Sequence, residues 1–132
     1  MFHYISWVAV IVASLTTFVI GGPWYSPMLF GKRWNEAMKH SPTDRGHPAR
    51  VFGLAFVFSF IGAAALAMLL PVDATFSDGI KLGAVVGACF VATSFGVNYQ
   101  FSNRPWIALL IDGGFHIVQF SAMGAILGAW HP

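Results

Sequence analysis

WIALLIDGGFHIVQFSAMGAILGAW, residues 106–130, is long and apolar enough to cross a bilayer, yet it carries Asp112, His116 and Gln119. A hydrocarbon core of about 30 Å takes roughly 20 apolar residues as a helix. Backbone amides find no partner in lipid, so a spanning run of this kind must close its own hydrogen bonds as a helix. At about 100° per residue, Asp112, His116, Gln119, Met123 and Trp130 fall within one narrow arc. Gly113, Ser121, Gly124 and Gly128 lie opposite or to one side. Ile107, Ile111, Val118 and Ala122 form a third, apolar strip. This pattern predicts the polar arc turned inward, the small residues against a neighbouring helix, and the apolar strip toward lipid.

Three more apolar runs precede it, at about residues 4–22, 51–70 and 79–97. The chain is 57 % hydrophobic and only 9 % charged, with a mean hydropathy of +0.69. A soluble domain carries about a quarter charged residues, so lipid must solvate most of this surface. The expected fold is all-α: one polytopic membrane domain over residues 1–132, with four transmembrane helices and a short amphipathic interfacial helix after the first. The first run is read as a retained span. Met1-Phe2-His3-Tyr4 lacks the basic start of a signal peptide, and the run exceeds the roughly 7–15 apolar residues such a peptide needs. The single Cys89 leaves no intrachain disulfide to form.

Orientation follows from the basic residues. The loop at 23–50 holds Lys32, Arg33, Lys39, Arg45 and Arg50, and the loop before the last span holds Arg104. The other side holds only Lys81. Positive residues stay on the cytoplasmic side, so both termini are expected outside, with the 23–50 loop in the cytoplasm. The net charge of +2 belongs to that loop and points to no nucleic acid. Gly21-Gly22-Pro23 ends the first span, and Gly22, Pro23, Trp24, Tyr25, Ser26, Pro27 and Trp34 form an interfacial motif in which Trp24 and Tyr25 suit an aromatic belt. From residue 28 to 39 the pattern is amphipathic, with Phe30, Trp34, Ala37 and Met38 on one face. That helix lies on the inner leaflet or packs on the bundle.

The third span carries Ala84, Ala88, Ala92 and Gly96 at every fourth position, with Gly83 and Gly87 beside them. Small residues at this spacing let two helix backbones approach closely, within one chain or between copies. On the first span, His3, Ser6, Ser14, Thr17 and Gly21 cluster on one side. The partner expected for the Asp112 arc is therefore the first span, or Asn98 and Gln100 at the end of the third. A short echo also links the first and third spans, Gly22-Pro-Trp-Tyr25 and Gly96-Val-Asn-Tyr99.

Asp112 and His116 stand four residues apart, so their side chains can touch. At about 1.5 Å per residue, they lie about 9 and 15 Å into the membrane. A lone charge there costs roughly 2.5–3.5 kcal/mol by insertion scales. Protonation of Asp112, or an Asp112–His116 ion pair, reduces that cost. The site expected for proton coupling is Asp112, His116 and Gln119, with Ser14 and Thr17 facing it. The competing reading is a buried hydrogen bond that sets helix register. No metal or haem site is expected, because no two histidines share a His-x3-His spacing and no cysteine set accompanies them. No nucleophile elbow, phosphate loop or zinc motif appears, so an enzyme is not the leading expectation, and no cofactor is expected.

The stretch Gly21-Gly22-Pro23-Trp24-Tyr25-Ser26-Pro27, then Leu29-Phe30-Gly31-Lys32 and Trp34, resembles the signature of the domain of unknown function 1761 family. So do Asp112-x-Gly114-Phe115-His116 and Met123-Gly124-Ala125-Ile126-Leu127-Gly128-Ala129-Trp130. The resemblance implies a small bacterial four-span protein and brings no activity. The expected function is a small oligomeric transporter or channel-like protein with an intramembrane Asp/His site. The second expectation is an accessory subunit of a larger membrane complex, and a membrane enzyme acting on lipid or quinone comes third.

Overall fold

The computed structural model describes residues 5–41 and 46–130; His3, Arg45 and His131 lie outside the described residues. The first span is two helices, α1 (Trp7–Ser14) and α2 (Thr16–Trp24). A loop helix, α3 (Gly31–Met38), follows, then α4 (Pro48–Leu69). α5 (Phe76–Val86) runs through a π-helical segment (Gly87–Ala92) into α6 (Thr93–Phe101), and α7 (Trp106–Ala129) closes the chain. The described residues contain no strand. Four runs are long and apolar enough to span: Trp7–Trp24, Pro48–Leu69, Phe76–Phe101 and Trp106–Ala129. The protein is an all-helical, multi-pass membrane protein.

Local chemistry shifts the ends of the expected runs. The first span breaks at Leu15, where Ser14 Oγ donates to Val10 O and Thr16 Oγ1 donates to Ala13 O, both at 2.7 Å. Hydroxyls that bond back to the preceding turn compete with the helix ladder and bend it. Pro23 does not stop α2, because it sits in the last turn, and Tyr25 N still reaches Gly21 O. α4 starts early, with Pro48 in its first turn and the His47 ring accepting from Ala49 N. α5 starts at a capping box: Thr75 Oγ1 accepts from Asp78 N, and Asp78 Oδ2 accepts from Thr75 N.

α7 is the axle of the bundle: α1, α2, α3, α4, α5, the π segment and α6 all pack on it. α5 packs on it most extensively, through glycines. A methyl added to Gly79 would overlap the Gly124 carbonyl, and one on Gly128 would overlap the Thr75 carbonyl. The two backbones are therefore in direct contact, the packing that lipid cannot otherwise drive. The alanine row behaves differently. Ala88, Ala92 and Gly96 line an open groove of about 670 Å³ beside Gly113 and Gly114.

Away from the basic loops, α1, α4 and α7 share a core in which Val10, Leu66 and Met123 are fully buried. The other half of α4 stands off: Val51, Phe52, Leu54 and Phe58 are exposed. Two expectations for α7 are corrected. Trp130, counted in the inward arc, is exposed. Ile111 does not face lipid; it is buried with Asp112, because its carbonyl is held by a side chain from α2.

Candidate functional site

The motif after the first span turns inward rather than out to a membrane belt. Trp24 Nε1 donates to Ile111 O at 2.9 Å, and Tyr25 OH donates to Asp112 Oδ1. The chain then folds tightly back. Gly31 N donates to Ser26 O at 2.9 Å, and a Cβ at Gly31 would run into the Tyr25 carbonyl. That close approach brings α3 over the end of α7. Trp34 Nε1 donates to Asp112 Oδ2 at 3.1 Å. Tyr99 OH, from α6, donates to the same oxygen.

Asp112 is thus 5 % exposed and accepts from two phenols and an indole that belong to three segments. Burial, then the bond to Asp112, pushes the Tyr25 phenol above its ordinary value, which keeps it a donor. Aromatic packing seals the cage. The Tyr25 ring meets Phe115 at 5.5 Å and Trp34 at 5.7 Å, and His40 covers Trp34 at 5.3 Å. Arg104 Nη1 donates to Met38 O at 3.1 Å and ties the end of α3 to the loop before α7. The loop helix therefore packs on the bundle, the second of the two placements its amphipathic pattern allowed.

His116 belongs to a different cluster. Its Nδ1 lies 2.9 Å from Gln119 Oε1, Gln119 Nε2 donates to Thr17 Oγ1, and Thr17 pairs with Ser59 Oγ of α4. Phe95 stacks on the imidazole, with centroids 4.9 Å apart. The expected Asp112–His116 pair is not formed, because each side chain is engaged elsewhere, Asp112 toward the basic end of the bundle and His116 across it. Ser14 joins neither cluster, since its hydroxyl is committed to Val10 O. Asn98 and Gln100 are exposed; Tyr99, between them, reaches Asp112 instead.

Two participants escape the sequence reading. Ser59 is the polar residue in the apolar run at 51–70, which is a usable signal. Tyr99 is foreshadowed by its echo of Tyr25, and both phenols meet on one carboxylate. Among the described residues, no three His, Cys, Asp or Glu side chains gather as a metal site, and no side-chain N or O is buried without a partner.

A family model described as a protein of unknown function (DUF1761) matches residues 8–128, nearly the whole chain. No curated protein and no solved structure matches it.

Proposed function

This chain belongs to the DUF1761 family, and we propose that it is a small proton-responsive transporter or channel-like protein of the bacterial inner membrane, with Asp112 as the coupling group. In this reading it works as a homo-oligomer, because α7 fills the axis of the single bundle and leaves no central path there. The basic loops and α3 face the cytoplasm, as the distribution of Lys and Arg favours.

One observation carries the reading: Asp112 is the common acceptor for donors from the ends of α2 and α6 and from α3. A protonated carboxyl must donate from one oxygen. Gaining a proton therefore forces one donor to the carboxylate to let go or, if a phenol, to turn and accept, and weakens the cage that holds α3 through Trp34. Losing it closes the cage again. That is a two-state element biased by a proton, which is what coupling requires. The His116–Gln119–Thr17–Ser59 chain lies beside it on α7 and is not needed for the step.

The test is solute and proton uptake by the purified protein in liposomes, with and without an imposed pH gradient. Gradient-driven uptake is expected, and Asp112→Asn should abolish the dependence on the gradient. Uptake that ignores the gradient in both proteins ends the coupling role.

A second reading, an accessory subunit, is favoured by the open groove along Ala88, Ala92, Gly96 and Gly113, since small residues accept a foreign helix closely. Purification in gentle detergent separates the two. A clean homo-oligomer supports transport, and stable larger partners support the subunit.

A further inference from the structure

The stand-off of α4 leaves two adjoining crevices beside α7. One, of about 320 Å³, is bordered by Phe58, Ser59, Val91, His116, Gln119 and Phe120. The other, of about 490 Å³, is bordered by Phe18, Gly21, Gly22, Val51 and Phe52. Thr17, Ala55 and Phe115 line both, so the two adjoin at those residues. Their walls are apolar apart from the hydroxyl, amide and imidazole groups of Thr17, Ser59, Gln119 and His116 in the smaller crevice and the Tyr25 phenol in the larger one, which is committed to Asp112. An apolar pocket with a few convergent polar groups is the usual form of a small-molecule site.

The polar chain has a direction. Gln119 Nε2 donates to Thr17 Oγ1, which leaves Gln119 Oε1 to accept from His116 Nδ1. The imidazole proton is thereby fixed on Nδ1, and the neutral ring keeps a lone pair on Nε2. Nε2 has no hydrogen-bond partner among the described residues. Nor is it sealed in, since no side-chain nitrogen there is buried without a partner. An open acceptor in an apolar crevice calls for one donor on the ligand.

The geometry points to a binding site for a lipophile with a hydroxyl head, whose O–H donates to His116 Nε2 while its tail lies along Phe58, Ala55 and Phe52. An ester or ether of the same tail fits the walls equally well and offers no proton. The crevice therefore selects by the head and holds by the tail. This inference is independent of proton coupling at Asp112.

Parinaryl alcohol, a fluorescent polyene alcohol, and its methyl ether supply the test. Each is titrated into the full chain in phosphatidylcholine nanodiscs, with energy transfer from tryptophan as the readout and empty discs as the blank. The alcohol should bind saturably and about tenfold more tightly than the ether, the worth of one hydrogen bond of about 1.4 kcal/mol. His116→Leu should lower the alcohol to the affinity of the ether and leave the ether unchanged, which also reports an intact crevice. Ala55→Phe should remove both. Asp112→Asn should leave the preference for the alcohol in place. Equal binding of alcohol and ether by the unaltered protein overturns the proposal, whatever the variants do. So does a preference that survives His116→Leu.

Discussion

Two faces of α7 are held in opposite ways. On the α5 side, Gly79 and Gly83 meet Gly124 and the Phe120 carbonyl, backbone against backbone. At the basic end, Asp112 is reached by long side chains from three segments. The glycine seam has no moving part. Its stability comes from contact alone, and any added atom must displace a main chain. The cage consists of rotatable side chains around one ionisable group. It shares no residue with the seam. One helix thus carries an attachment made of backbone contact and another made of side-chain hydrogen bonds.

The sharpest way to break this contrast is to strike each region with one substitution. Gly124→Val sets a branched side chain against the Gly79 backbone. It should cost about 3 kcal/mol or more, seen as loss of the unfolding transition in mild detergent or a large drop in its midpoint. Asp112→Asn should cost less, about 1.5–3 kcal/mol, the worth of a hydrogen bond to a charged group. Its damage should stay local: protease cutting within the 23–50 loop should accelerate while α5 and α7 remain protected. If both variants unfold the whole bundle alike, the distinction between the two regions fails.

Smaller changes refine it. Trp34→Phe keeps the ring against Tyr25 and removes the N–H that reaches Asp112, at about 1 kcal/mol, and should speed loop proteolysis only modestly. Tyr25 gives a pH test. Its phenol is raised above the ordinary value of about 10 by burial and then by Asp112. A raised value in the folded state contributes stability fully present below pH about 10 and lost as pH rises beyond it. Thermal midpoints should therefore fall above that pH, and Tyr25→Phe should flatten the fall. The smallest effect belongs to Lys39, which ends α3 at φ 54°. Lys39→Gly suits that left-handed position and should stabilise by about 0.5–1 kcal/mol, visible as slower proteolysis of the loop with no change in the seam.

The seam was legible in advance, because Gly83, Gly87, Gly124 and Gly128 recur at a spacing that has one physical use in lipid. The spans were legible for the same reason: length and hydropathy leave helix as the one solution. The cage was legible only in parts. Asp112 announced itself as a carboxylate in an apolar run, and the inward turn of its arc holds for Asp112, Gln119 and Met123, all buried. Its partners did not announce themselves. Trp24, Tyr25 and Trp34 suit a membrane interface and an inward latch equally well, and only the tight return at Gly31 decides between them. The i, i+4 spacing of Asp112 and His116 permitted a pair that other donors pre-empted. Periodicity gives the face of a helix, and it cannot say which of several reachable partners wins.

The central place of α7 bears on the order in which the protein is made. α7 leaves the ribosome after the other three spans, and every other described helix packs on it. Before it arrives, the described helices have chiefly the contact of α1 with α4 to hold them, and Gly79 faces bare lipid. Insertion and assembly are thus separated in time. The membrane first receives three nearly independent helices, and the bundle forms when α7 enters among them. A chain cut short before residue 106 would be inserted but unassembled, an orphan that quality control could recognise by its exposed glycine face.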